Sequence, residues 1–154
     1  MDNRKAFLDT LAFSEIGPKL LALSDNGYNV IVGSTPTAPI LFSSYADHPR
    51  KLVHLNASLA STAAGRYQLL ARYFDAYKKL LRLPDFSPSS QDAIAIQQIA
   101  ERGALADIDA GRFDIAVGKV RNIWASLPGA NYGQHENKLE VLRAQFVGVG
   151  GRLA

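Results

Sequence analysis

With 154 residues, 47% of them hydrophobic and 20% charged, the chain is long enough for a sizeable core and too apolar to be a disordered segment. It has no cysteine, which excludes disulfides and thiolate chemistry, so packing must hold the fold. A formal charge of +3 suits anionic partners, yet the basic residues are scattered without a block of like charge, which argues against nucleic acid as the partner.

No apolar run approaches membrane-spanning length, and the opening residues are charged and amphipathic rather than continuously apolar as a secretory signal would be. The expectation is a chain that neither inserts into a membrane nor directs its own export.

Arg4 to Glu15 reads as an amphipathic helix. At about 100° per residue, Phe7, Leu8, Leu11 and Ala12 form one apolar stripe, and Glu15 falls in the middle of it. A carboxyl group withdrawn from water is harder to ionise, which is what a general acid near neutral pH requires. Periodicity leaves a second reading open: a helix-end glutamate turned to solvent or paired with Lys19.

Gly17-Pro18 breaks this helix and starts a short one through PKLLALS. After the SDNG turn, the β-branched run YNVIV at 28–32 and the run ILFSSY at 40–45, joined by STPTAP, predict a small hairpin. ADHPRKLVHL reads as loop with a little extended structure, because Pro49 disfavours helix before it.

The longest helix is predicted over Gly65 to Leu81, with Leu70, Tyr73, Phe74, Tyr77 and Leu81 on its core face. Pro88 and Gly103 bracket the next. Further helices are expected over Arg112–Ser126 and Gln134–Val147, with the glycines at 148, 150 and 151 letting the tail fray. No repeat or linker divides the chain, so residues 1–154 are expected to form a single α+β domain: a mainly helical lobe, a small β-hairpin lobe and a cleft between them.

Several residues could serve such a cleft. STAAGRYQLL at 61–70 places small residues before a helix start, where Tyr67 offers a ring and Gln68 can both donate to and accept from a sugar hydroxyl or acetamido group. In GANYG, Asn131 and Tyr132 either line a cleft or shape a turn. Tyr45, in a loop-like context, offers a flat face for a sugar ring, whereas Tyr73, Tyr77 and Trp124 sit on helical stripes and are expected in the core. His48, His54 and His135, even with Asp47, match no metal-ligand spacing, and no nucleophile elbow, P-loop or dinucleotide fingerprint is present. No metal and no cofactor are expected.

Six long stretches in order carry a resemblance: RKAFLDTLAFSE at 4–15, GYNVIVG at 27–33, YADHPRKLV at 45–53, STAAGRYQLLARYFDAY at 61–77, DFSPSSQDAIAIQQIAERGAL at 85–105 and NIWASLPGANYGQ at 122–134. In these the chain resembles the phage lambda endolysin family, lysozyme-like peptidoglycan lytic transglycosylases. The resemblance implies that the catalytic glutamate is Glu15, and that a monomeric enzyme made in the host cytoplasm reaches periplasmic peptidoglycan after release by a holin. It also implies a one-carboxylate reaction with a 1,6-anhydro product. Hydrolysis with Asp25 or Asp47 as second carboxylate, and a non-catalytic wall binder on the same scaffold, are the alternatives. The chain departs from its relative at Ile16, at Asn29 where that relative has a carboxylate, and in the longer STPTAPI loop.

Overall fold

A computed structural model describes residues 2–130 and 135–154. Its elements in chain order are α1 (Asn3–Glu15), α2 (Pro18–Leu23), β1 (Val53–Asn56), β2 (Leu59–Ser61), α3 (Ala71–Leu81), α4 (Pro88–Glu101), α5 (Leu105–Asp109), α6 (Phe113–Val120) and α7 (Leu139–Gly148). They fall into two compact units, one made of Met1–Glu15 with Ala95–Ala154 and the other of Ile16–Ile94. The chain passes between them after Glu15 and again inside α4.

In the first unit α1 packs on α5 and α7, and α6 packs on the same two helices. Phe7, Leu11, Ile108, Phe113, Leu142 and Phe146 are each at most 2% exposed, and burying a side chain of this size contributes about 1.5–3 kcal/mol. The Phe113 ring lies 5.8 Å from Phe7 and 4.9 Å from Phe146, tying α1, α6 and α7 together. Burial on α1 reaches beyond the predicted stripe to Ala6 and Thr10. Thr10 is satisfied there by donating its hydroxyl to the Ala6 carbonyl at 2.8 Å.

Four expectations for this unit need correction, the first being that the helix predicted over Gln134–Val147 begins only at Leu139. The Arg112–Ser126 helix ends at Val120, and residues beyond it run in turns in which Trp124 is buried. The short α5 was not anticipated; it is joined to α6 by Asp107, whose carboxylate accepts Arg112 Nε at 2.8 Å and Lys119 Nζ at 2.6 Å. Nor does the tail fray. Gly151 donates to Phe146 O at 2.8 Å and Ala154 to Gly111 O at 2.9 Å, while Asn3 bonds both the amide and the carbonyl of Arg152. Gly151 is needed at that point, because a Cβ would overlap the Phe146 ring.

The second unit centres on Ala64, Leu69, Phe74, Phe86 and Ile94, with Phe42, Tyr77, Leu81 and Leu83 packed around them. Its one regular sheet among the described residues is the antiparallel β1–β2 pair, with Val53 opposite Ser61 and His54 opposite Ala60. The hairpin predicted over 28–45 is reduced to isolated bridges, Val30 with Leu41 and Ile31 with Ala64. The buried Val30 and Ile31 bridge to different segments in succession, so no continuous ladder forms.

α3 begins at Ala71, not Gly65. Gly65 and Gln68 have φ of +86° and +51°, so the chain turns there, and Thr62 Oγ1 accepts the Ala71 amide at 3.0 Å. A Cβ at Gly65 would run into Gln91 Oε1 and Phe86, so this crossing needs glycine. On α3, Phe74 is fully buried, but Tyr73 is 46% exposed rather than in the core; the Arg72 guanidinium lies over its ring at 4.9 Å.

Candidate active site

Glu15 is the last residue of α1, and its surroundings are built by the turn-rich segment that follows α6. Ser14 and Ser126 share a hydroxyl–hydroxyl hydrogen bond of 2.8 Å. Asn137 donates its side-chain amide to Ser14 Oγ at 3.0 Å and Ser14 O at 3.2 Å, and its backbone amide to Ser126 O at 2.8 Å. Residues more than a hundred positions apart thus anchor the end of α1. Burial pushes the Glu15 carboxyl up to about 7, while a hydrogen bond with Ser126 pulls it the other way. Among these groups Glu15 is the carboxyl whose acidity lies near neutral pH.

The other sequence-derived candidates divide. Tyr45 is half-buried and donates its hydroxyl to Asp25 Oδ2 at 2.5 Å. Tyr67 is 5% exposed; it donates to Asp92 Oδ1 at 2.6 Å and accepts from Arg66 Nη1 at 3.1 Å. Burial pushes this phenol well above its ordinary range. Its ring is therefore an internal anchor and not an open stacking face. Gln68 directs its amide nitrogen to Gly65 O at 2.8 Å and Val30 O at 3.3 Å, so its donor is engaged by backbone. Asn131 and Tyr132 lie outside the described residues.

Sequence reasoning missed the residues that hold these groups in place. Asp92 also receives the Tyr28 hydroxyl at 2.9 Å, and the buried Gln91 bonds Arg66 N, Tyr28 O and Phe86 O. Ser126, Asn137, Gln91 and Asp92 belong to no short motif. They meet their partners only through the folded chain.

The histidines hold no metal arrangement among the described residues. His48 is 2% exposed. Its Nδ1 accepts the Arg50 amide at 2.9 Å, which leaves the proton on Nε2 to be donated to Leu69 O at 2.8 Å. Asp47 pairs with Arg50 at 2.8 Å, and that guanidinium holds its carboxyl below the ordinary carboxylate range.

A family model described as Endolysin matches residues 5–153. The chain belongs to the endolysin family. It is 57% identical over 151 residues to the endolysin of Escherichia phage lambda, covering 97% of this chain and 92% of that relative. It is 49% identical over 154 residues to the endolysin of Escherichia phage P2, covering 97% and 93%. Among solved structures, bacteriophage lambda lysozyme complexed with a chitohexasaccharide matches with a TM-score of 0.91 at 54% identity, over 100% of this chain and 97% of that one. Lysozyme from bacteriophage lambda matches at 0.87 with the same identity and coverage. The fold is the lysozyme-like α+β arrangement expected from sequence, and no helix among the described residues is long and apolar enough to cross a membrane.

Proposed function

We propose that this chain cleaves the β-1,4 bond between N-acetylmuramic acid and N-acetylglucosamine in peptidoglycan by non-hydrolytic transglycosylation, with Glu15 as acid and then base. Protonated Glu15 gives its proton to the glycosidic oxygen as the bond from C1 to that oxygen breaks. The resulting carboxylate takes the proton of the muramic acid C6 hydroxyl, whose oxygen bonds to C1. The product is a 1,6-anhydro sugar, and Glu15 is returned protonated without consuming water.

The observation that supports this most is the Glu15 carboxyl itself, raised to about 7 by burial at the end of a packed helix. Its protonated and ionised forms are then both accessible at the pH where the wall is degraded, as one residue serving both steps requires. Two-carboxylate glycosidases instead divide acid and nucleophile or base between separate residues. Tyr45 contributes a face to the sugar, while Tyr67 and Gln68 serve the substrate by shaping the turn before α3. Asp47, bound to Arg50, and Asp25, bound to Tyr45, are engaged by side-chain donors.

The test is Glu15→Gln on purified murein. Lysis should be lost with the fold intact, and mass spectrometry of the wild-type digest should find anhydro ends. Reducing ends would mean hydrolysis, and binding of murein without a cleared zone by the wild-type chain would favour a wall binder. The reading carries a setting with it: residues 1–154 act as one monomeric catalytic domain made in the host cytoplasm, and a holin lesion gives it access to the periplasm.

A further inference from the structure

Asp25 and Tyr45 are twenty residues apart, and neither helix nor sheet joins them, yet Tyr45 Oη donates to Asp25 Oδ2 at 2.5 Å, among the shortest side-chain hydrogen bonds of the described residues. Both partners are held from elsewhere. Asn29 Oδ1 accepts the Asp25 amide at 2.9 Å, and Asp25 O accepts the Tyr28 amide at 2.9 Å. Tyr45 O accepts the Phe86 amide at 2.9 Å, and the Phe42 ring stands against the Tyr45 ring at 5.6 Å and 83°. Tyr45 is thus held at its backbone, by the Phe42 ring and at its hydroxyl, and is half-buried, while Asp25 remains exposed. Among the described residues Asp25 Oδ1 has no partner.

We propose that Asp25 and Tyr45 form a sugar-binding subsite, in which the Tyr45 ring stacks on a pyranose of the glycan and Asp25 Oδ1 accepts a hydrogen bond from a hydroxyl or acetamido N–H of the same sugar. A ring held on three sides loses little freedom when a sugar lies on it. A carboxylate beside the ring adds a charge-assisted bond that a ring alone does not provide. Asparagine at position 29 suits the arrangement, because its carbonyl accepts the Asp25 amide without bringing a second negative charge to the pair.

The subsite rests on the glycan cleavage proposed above, and it makes Asp25 a substrate-binding residue and not the second carboxylate of a hydrolase. Binding of an N-acetylglucosamine hexamer is measured by calorimetry in the Glu15→Gln background, so that chemistry does not intervene. Adding Asp25→Ala should weaken binding about 10-fold, the loss of one charge-assisted bond, and adding Tyr45→Phe about 3-fold, because the ring stays but its tether is lost. In the active enzyme, Asp25→Asn should raise KM and leave kcat and anhydro product within about 2-fold, with the melting temperature unchanged, where a merely structural role would lower the melting temperature and kcat together. Unchanged hexamer affinity in both double variants would overturn the subsite while leaving the Glu15 assignment standing. A collapse of kcat in Asp25→Asn at unchanged KM would overturn it too, by placing Asp25 in the reaction. If Glu15→Gln itself still lyses murein, the cleavage proposal fails, and hexamer affinities still judge the subsite.

Discussion

Replacing the Glu15 carboxyl by an amide of the same shape removes the transferable proton, so Glu15→Gln should lower the lytic rate by at least about 10²–10⁴-fold. The same change should stabilise the protein, and the sign follows from its acidity. The folded carboxyl titrates at about 7 against an ordinary 4.5, so between those values the folded chain keeps a proton that the unfolded chain has released. Stability therefore falls as pH rises through this interval, by an amount on the order of 3 kcal/mol above it. Glutamine has no such deficit. Glu15→Gln should melt higher than wild type at pH 8 and close to it at pH 4; a lower melting temperature at both would show that the carboxyl is not a buried acid. Wild-type kcat/KM should decline as pH rises through 7, as the donor form disappears. The apolar stripe of α1 made the withdrawn position of this carboxyl legible, and the family resemblance favoured the catalytic one of its two readings. Its acidity also depends on Ser126, which periodicity could not find.

At the scale of elements, that partner gives a directional test. The Ser126 hydrogen bond lowers the Glu15 pKa, so Ser126→Ala should move the alkaline limb of the pH–rate profile upward; a downward movement would contradict the assigned bond. Gly65 makes a separate prediction. With φ at +86° and no space for a Cβ, Gly65→Ala should destabilise by about 1–3 kcal/mol, measurable by urea unfolding. Helical rhythm with a proline at one end and a glycine at the other made α4 legible almost to the residue. The β1–β2 hairpin was not, because its strands are almost entirely exposed and carry no alternation of apolar and polar residues for a period-two pattern to register. The run at 28–32 has the β-branched composition of a strand, but its buried residues pair with different segments in turn, which composition cannot reveal. The start of α3 was misplaced for a related reason: an apolar rhythm can be extended backwards through Gly65 and Gln68, whereas their positive φ values cannot be helical.

Over the whole molecule, buried acid and buried base act against each other as pH falls. Burial holds the His48 imidazole below its ordinary value of 6.5, with Asp47, Arg50 and Asp75 as the charged groups acting on it and both ring nitrogens already bonded. Protonating Nδ1 would turn a donor toward the Arg50 amide, so the folded chain resists a proton that the unfolded chain accepts. Stability from this group is present above about 6.5 and is lost as pH falls toward the depressed folded value. Glu15 contributes in the opposite sense between 7 and 4.5. The two slopes oppose each other, so the wild-type melting temperature should change less steeply with pH than Glu15 alone would make it. Glu15→Gln removes one side of the balance, so its melting temperature should fall clearly between pH 7 and pH 5, and His48→Gln in the same background should flatten the curve again. Below about pH 4 all three chains should lose stability together. Asp47, Asp75 and Asp109 are held below their ordinary values by hydrogen bonds from Arg50 and Arg4, and Asp85 by Ser87 and Ser90; protonation removes that advantage. Thermal scans at pH steps from 8 to 3 would test the account, and it fails if the Glu15→Gln and wild-type curves run parallel from pH 8 to pH 5.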